Sequence, residues 1–239
     1  MRALTRKLLR ELWGMRAQAL AIAVVIASGV ATLVMFLSAL AALTGTRDAF
    51  YRDYRFADVF ASVERAPRGL ADELAAIPGV QQAVTRVVAE ASLELPGFDD
   101  PATARIVSLP EGRNAALNRL YLTEGRLPEP GREREAVVSD AFAEAHGLHA
   151  GARLAVVVRG GYETLEVVGV ATSPEFVYQI RPGEIMPDYE RYAILWMSRP
   201  ALAAAYDMEG AFNDVLLRLA RGARPEAVIE AADRLLDPW

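Results

Sequence analysis

The feature that most constrains this chain is a run of 30 consecutive residues, 17–46, without a single Asp, Glu, Lys or Arg. Its middle part, 20–43, consists mostly of Ala, Val, Ile, Leu, Met and Phe. The hydrocarbon core of a bilayer is about 30 Å thick and needs ~20 apolar residues in a helix. The run therefore predicts a transmembrane helix that is long enough to project beyond the membrane.

Two other readings compete with a transmembrane helix. A buried core helix is disfavoured because soluble helices of this length carry a polar stripe, and this run has none. A cleaved signal peptide fits the preceding basic residues and the small-x-small sequence at 39–41. Signal peptides, however, have apolar regions of only ~7–15 residues, which favours an uncleaved span. Small residues near its middle (Ser28, Gly29, Ala31, Thr32) suit either close approach of another helix or a lone anchor.

Charge predicts the orientation of this helix. Five of the 26 basic residues and only one of the 31 acidic residues precede residue 17. The positive-inside rule therefore places the N-terminus in the cytoplasm and the bulk of the chain outside it, in the periplasm or its equivalent. The part after the run keeps 21 basic and 30 acidic residues, a net charge of −9. That sign excludes a nucleic-acid-binding domain, because phosphate binding requires a basic surface.

Composition also limits the chemistry available to the chain. There is no cysteine, which excludes disulfides and thiolate metal sites. The single lysine is Lys7, in the basic flank, so no phosphate-binding loop of the Walker type can form. If ATP drives the protein, another polypeptide must hydrolyse it.

The first part of the outer region predicts a βαβ unit. Before the span, residues 1–13 are interpreted either as a short amphipathic helix or as a charged flank that only sets the topology. After the span come a strand over 56–65, a helix that begins near Pro67 and carries Leu70, Leu74 and Ile77, and an extended segment over 80–95. A Pro- and Gly-containing loop is predicted over 96–101.

Short strands then predict a β-rich insert, after which the first pattern returns. Strands are predicted over 104–109, 136–138, 153–158, 163–170 and 192–197, with a turn at 159–161 and a short helix at 139–145. A strand over 214–219, Pro225 and an apolar-striped helix repeat the strand–proline–helix order. Two such units on one sheet give a split, ferredoxin-like arrangement. On this interpretation the chain stops at Trp239 before a closing strand.

The predicted fold class is α+β, with one transmembrane helix and an outer domain. The predicted division is a basic flank at 1–16, the span at 17–46, a first βαβ half at 47–98, the β-rich insert at 99–205 and a second βα half at 206–239.

No residue is predicted to be catalytic or to bind a cofactor or metal. His146 and His149 are the only histidines, and two ligands at that spacing would still need a third. The adjacent acids Asp99–Asp100 and the pair Asp188 and Glu190 lie in loops typical of solvated carboxylates. Nucleophile-elbow and dinucleotide-binding patterns are absent from the sequence. The chain is therefore predicted not to be an enzyme and to need no cofactor.

Several short segments, taken in order, resemble the N-terminal part of FtsX/MacB-type permease subunits of ABC exporters. They are Met-Arg-Ala-Gln-Ala-Leu-Ala at 15–21, Phe-Ala-Asp-Val-Phe-Ala at 56–61, Ile-Pro-Gly-Val at 77–80, Glu-Gly-Arg-Leu-Pro at 124–128, Ala-Val-Val-Ser at 136–139 and Glu-Val-Val-Gly-Val at 166–170. Their order over nearly the whole chain carries the resemblance. Permeases of this family have at least three further spans, which this sequence lacks.

The resemblance implies an outer domain that does no covalent chemistry and moves as a partner ATPase binds ATP. The implied partners are an ABC ATPase subunit, the remaining permease spans or a second permease copy, and the lipid bilayer. The interpretation as part of a permease stands beside two others. One is a single-pass anchored binding or adaptor module; the other is a secreted enzyme, which would require removal of residues 1–41.

Overall fold

A computed structural model of the chain describes residues 7, 10, 14–95 and 102–239. The amphipathic helix predicted over 1–13, apart from residues 7 and 10, and the loop predicted over 96–101 lie outside these residues. The chain divides into two units, Met1–Phe50 and Tyr51–Trp239.

One long helix, α1, makes up most of the first unit; it runs from Arg16 to Asp53, three residues past the end of that unit and seven past the predicted span. At ~1.5 Å per residue its 38 residues extend over about 57 Å. None of its residues is buried. Three of its hydroxyl groups donate to backbone carbonyls within the helix; Thr32, for example, donates to the carbonyl oxygen of Ser28 at 2.9 Å. By length and composition α1 is suited to crossing a membrane.

The described residues of the second unit form ten strands and four short helices. The strands are β1 (Val59–Pro67), β2 (Val80–Arg86), β3 (Val88–Glu94), β4 (Ala102–Leu109), β5 (Tyr121–Gly125), β6 (Glu135–Ser139), β7 (Arg153–Val158), β8 (Gly161–Thr172), β9 (Tyr192–Ser198) and β10 (Ala211–Leu219). The helices are α2 (Leu70–Ala76), α3 (Asp140–His146), α4 (Arg199–Ala205) and α5 (Pro225–Leu236).

A three-stranded sheet has the order β1-β10-β2, with β10 antiparallel to both neighbours. The predicted pairing of the 214–219 strand with the strands of the βαβ unit is thus confirmed on both of its edges. Helices α2 and α5 share a core with one face of this sheet, in which Leu74 and Val228 contact strand residues such as Val215. We call this part the small sheet. The ferredoxin-like closing strand stays a prediction; among described residues the outer edge of β1 meets Trp239, whose carbonyl accepts from Glu64 N at 3.2 Å.

The other seven strands form a second sheet, and the six from β8 to β7 in its order close on themselves. Its order is β5-β8-β6-β9-β4-β3-β7, and β7 also pairs with β8. We call this closed sheet the barrel. Alternate residues of its strands, such as Ala104, Ile106 and Leu195, form one buried cluster, while their neighbours Val107, Ile194 and Trp196 form a second cluster on the opposite face. Two buried faces explain why β9 is buried along its whole length.

Three sequence-based assignments need correction. The extended segment 80–95 is two strands, and β3 belongs to the barrel rather than to the first βαβ half placed at 47–98. The break falls at Val87, whose backbone N–H and C=O pair with Ser108 instead of continuing the small sheet. Pro67 ends β1 instead of opening the helix, because an edge strand tolerates a missing N–H. Helix α4 and strand β5 were not predicted.

Candidate functional site

The junction between the small sheet and the barrel is the most elaborate polar site in the described structure. The chain passes from β2 to β3 through Val87 alone, and it returns from α4 to β10. Beside the first crossing, the Asn213 side chain accepts from Val88 N at 2.8 Å and donates to Val88 O at 2.7 Å. An amide side chain thus takes the place of a strand partner at the point where β3 leaves the small sheet.

A buried ion network lies at this junction. Arg86, at the end of β2, donates from Nε to Asp214 Oδ1 at 2.7 Å. Its Nη1 and Nη2 donate to the two carboxylate oxygens of Glu175 at 2.6 and 2.8 Å. The side chains of Arg86 and Asp214 are 7% and 6% exposed, and that of Glu175 is 12% exposed. Bidentate pairing at such burial makes these charge-assisted hydrogen bonds stronger than surface ones.

The network contains one cation and two carboxylates, and the excess negative charge appears in the pKa values. Burial raises the pKa of the Asp214 carboxyl, the Arg86 charge opposes that rise, and the Glu175 charge adds to it. Burial by itself would lower the pKa of Arg86, but hydrogen bonds and charges from Glu175 and Asp214 raise it above its ordinary value. Arg86 therefore stays a cation, whereas Asp214 is the residue of the network whose ionisation is made unfavourable by its surroundings.

Asn118 connects this network to the chain segment that follows α1. Its Nδ2 donates to Glu175 Oε2 at 2.7 Å, and its Oδ1 accepts from Ala57 N at 2.8 Å. Its own N–H donates to Arg55 O at 3.0 Å. Asn118 is buried and has φ of 51°, a left-handed conformation that asparagine adopts more readily than most residues. We use the name junction network for Arg86, Glu175, Asp214 and Asn118.

The route from the end of α1 to the small sheet is thus continuous in hydrogen bonds. It begins at Arg55, two residues after Asp53, and passes through Asn118, Glu175 and Arg86 to Asp214 on β10. A parallel contact joins Arg119 N to Tyr54 O at 2.8 Å. This chain of hydrogen bonds links five segments that are far apart in sequence: the segment after α1, β2, the β4–β5 loop, the loop after β8, and β10.

A second ion cluster lies on the barrel. Arg126 donates to both carboxylate oxygens of Glu135 at 2.7 Å, and Glu129 N donates to Glu135 Oε2 at 2.8 Å. Hydrogen bonds from Arg126, opposed by burial and supported by Glu129 N, lower the pKa of Glu135. This cluster orders the turn between β5 and β6.

The sequence-derived polar candidates do not converge. His146 Nε2 lies 2.8 Å from Glu190 O, whereas His149 Nδ1 lies 3.0 Å from Glu124 Oε2. Asp188 Oδ1 accepts from the backbone N–H of Glu190 and of Arg191, which fixes a local turn. Asp99 and Asp100 lie outside the described residues. Within 14–95 and 102–239 no group of three or more His, Cys, Asp or Glu could hold a metal ion.

Sequence reasoning missed the junction network, although a signal was present. Asp214 follows Asn213 in a strand whose other residues, apart from Arg218, are apolar, and Arg86 ends a strand that continues into an apolar segment. A charged residue at an inward position of a predicted strand implies a buried partner. Its partner Glu175 comes from an irregular loop, and no periodic pattern could have identified it.

The chain matches one protein-family model and is similar to several solved structures. The family model of the MacB-like periplasmic core domain matches residues 19–235. Similar solved structures include the extracellular domain of the noncanonic ABC-type transporter YknZ from Gram-positive bacteria, at 14% identity and a TM-score of 0.48 over 75% of this chain and 91% of that one. The periplasmic region of MacB from Actinobacillus actinomycetemcomitans is 12% identical, with a TM-score of 0.43 over 72% of this chain and 73% of that one. A domain of a putative permease protein from Porphyromonas gingivalis is 16% identical, with a TM-score of 0.44 over 74% of this chain and 77% of that one.

No curated protein matches the chain. The family match covers nearly the whole of the chain, including the last turns of α5, and it confirms the resemblance found in the sequence. The chain belongs to the family of MacB-like periplasmic core domains, the extracytoplasmic domains of FtsX/MacB-type ABC transporter permeases.

Proposed function

We propose that this chain is the N-terminal part of an ABC-transporter permease whose outer domain transmits motion, driven by a separate ATPase, to substrate or to extracytoplasmic partners. The observation that carries the proposal is the hydrogen-bonded route from Arg55 through Asn118 to Arg86 and Asp214. A displacement of the segment after α1 would act on both the small sheet and the barrel, because Asn118 bonds to groups that hold each of them.

The partners in this proposal are an ABC ATPase subunit, the further permease spans or a second permease copy, and the bilayer. We propose a single span with the N-terminus in the cytoplasm, and a split ferredoxin-like arrangement for the small sheet. Reporter fusions at Arg10 and Arg65 test the topology. Cytoplasmic and extracytoplasmic signals, respectively, are expected, and the reverse pattern would contradict the proposal.

The chain itself is proposed to have no enzymatic activity. Its only lysine, Lys7, lies in the basic flank and cannot serve a phosphate-binding loop. Purified chain should not turn over ATP. Turnover that survives Lys7→Ala would contradict this part of the proposal.

Coupled movement can be tested by fixing the small sheet to the barrel. Ala71 on α2 and Ala204 on α4 line opposite walls of the cleft between them. Because the natural chain has no cysteine, Ala71→Cys and Ala204→Cys give a unique pair for a short bifunctional crosslinker with a reducible bond. In cells that make the complete transporter, crosslinking should abolish transport, and reduction should restore it.

The single-cysteine variants treated with the same reagent are the matched controls and should transport normally. Unchanged transport with a fully crosslinked pair would contradict the motion-transmitting role. It would instead support the alternative function, a membrane-anchored binding or adaptor module.

A further inference from the structure

A large cleft separates the small sheet from the barrel, with a volume of about 1410 Å³. One wall comes from the start of α2 and from β2, and the other comes from the β4–β5 loop and from α4. Alanines recur on both walls, at positions 71, 83, 115, 116, 203 and 204. Their short side chains leave the space open and contribute apolar surface to a lining that also contains charged residues. Its volume exceeds the ~300–1,000 Å³ typical of small-molecule sites.

Arg199, at the start of α4, is a half-buried cation at the edge of this space. Its Nη1 donates to Thr85 O at 2.5 Å, and its Nη2 donates to Ala211 O at 3.2 Å. These partners are neutral carbonyl groups, so the positive charge is not balanced by them. Burial lowers the pKa of Arg199, and the charge of Arg68 lowers it further.

Arg68 and Arg113 bring further positive charge to the same cleft, which Arg86 also lines although its charge is paired with Glu175 and Asp214. None of the ion pairs within the described ranges includes Arg68 or Arg199. Four acidic residues also line the cleft, namely Asp72, Glu111, Glu133 and Glu209. None of these carboxylates pairs with either arginine. Two neighbouring cations, one of them half-buried, are unfavourable until an anion joins them.

We propose that this cleft binds an organic carboxylate with an apolar body, its carboxylate held by Arg199 and Arg68 and its body lying along the alanine-rich walls. Planar guanidinium groups match a carboxylate better than a single ammonium would. The apolar walls distinguish such a ligand from an inorganic anion. The inference goes beyond the transmission of motion, since it assigns a ligand to the cleft.

The test uses the full chain in detergent and isothermal titration with defined probes. N-acetyl-Ala-Leu-Ala with a free C-terminal carboxylate is compared with the same peptide as its amide, with hexanoate and with inorganic phosphate. The free-acid peptide, hexanoate or both should bind, and the amide should not. Binding by the peptide alone points to a peptide as the natural ligand, and binding by hexanoate alone points to a fatty acid. Equal binding of acid and amide, binding of phosphate as tight as that of either carboxylate, or no binding at millimolar concentration would overturn the proposal.

Variants locate the site. Arg199→Gln should weaken binding about tenfold or more, because it removes a charge-assisted contact. Arg68→Gln should also weaken it, and this exposed position decides the matter if Arg199→Gln does not fold. Arg221→Gln, an exposed arginine outside the cleft, should bind as the natural chain does. Ala204→Leu, which narrows the cleft without changing its charge, should weaken binding as well.

Affinity unchanged in both Arg199→Gln and Arg68→Gln would overturn the assignment. This outcome is separable from the proposed function, because the crosslinking result depends on movement between the walls and not on a ligand.

Discussion

Replacing Arg86 with methionine is expected to be among the most damaging single changes in this protein. Methionine retains much of the volume and the apolar stem but removes the guanidinium. The change leaves Asp214 and Glu175 together at the junction with no cation hydrogen-bonded to them. Removal of one member of a buried ion pair typically costs about 3–5 kcal/mol, because the other member stays buried and charged.

Asp214→Asn should cost less, about 1–3 kcal/mol. Glu175 still pairs with Arg86 in that variant, and the amide can still accept a hydrogen bond. Moreover, burial already raises the pKa of Asp214, so the natural network bears a penalty for ionising this carboxyl, and the variant removes that penalty. The expected order is therefore Arg86→Met more destabilising than Asp214→Asn.

The assay is denaturant unfolding of the full chain in detergent, followed by tryptophan fluorescence. Trp196 is buried in the barrel, and Trp13→Phe with Trp239→Phe makes it the sole reporter. The matched control is Arg159→Met, which removes an arginine paired with Asp207 where both side chains are more than half exposed. That control should cost less than about 1 kcal/mol.

The reasoning fails if Arg86→Met costs no more than Arg159→Met, or if Asp214→Asn costs more than Arg86→Met. A double-mutant cycle of Arg86→Met with Asp214→Asn should also give a clear coupling energy, since the two groups are in direct contact.

Three further predictions concern other parts of the chain. Val30→Arg should raise the free energy of membrane insertion by ~2.5–3.5 kcal/mol in a translocon-insertion assay, with Val30→Leu as control; equal insertion of both would argue against a span. Gly169→Ala should destabilise the barrel by about 1–3 kcal/mol in thermal unfolding, because its Cβ would lie 2.5 Å from Arg126 O, whereas Gly69→Ala meets nothing within 4 Å and should be tolerated. The pKa of Glu135 is lowered in the folded state, so its ionised form adds stability above the unfolded pKa, and this stability is lost as the pH falls through the folded pKa. In Glu135→Gln, the free energy of unfolding should therefore fall less on acidification than in the natural chain. An unchanged pH profile of stability would refute this assignment.

Local patterns predicted the regular elements well. The strand Arg153–Val158 and the turn after it follow from alternation and a Gly-Gly pair, and the apolar stripe of α5 follows from helical spacing. The pairing of β10 with β1 and β2 could also be predicted from the sequence, because the strand–proline–helix order occurs twice. These features depend on neighbours in sequence or on a repeat, and a single sequence contains both.

The division at Val87 was not accessible, because the alternation of 80–95 continues through it without a Gly or Pro. What breaks the strand is a tertiary contact with Ser108, 21 residues away. Helix α4 was missed because four of its seven residues are alanine, which leaves Leu202 without a second large apolar residue at helical spacing within the helix. The cleft arginines gave no signal either, since an arginine next to a proline or a glycine is ordinary on a surface.

The central position of β10 dictates the order in which this protein can be assembled. Strands β1 and β2 have no pairing with each other, and both wait for a strand that leaves the ribosome more than a hundred residues later. At a synthesis rate of ~5–20 residues per second, the apolar side chains of β1 and β2 stay uncovered for many seconds. The barrel, by contrast, is complete in sequence by Ser198. Barrel folding should therefore precede closure of the small sheet during synthesis, and the early segment is the part that most needs protection from aggregation.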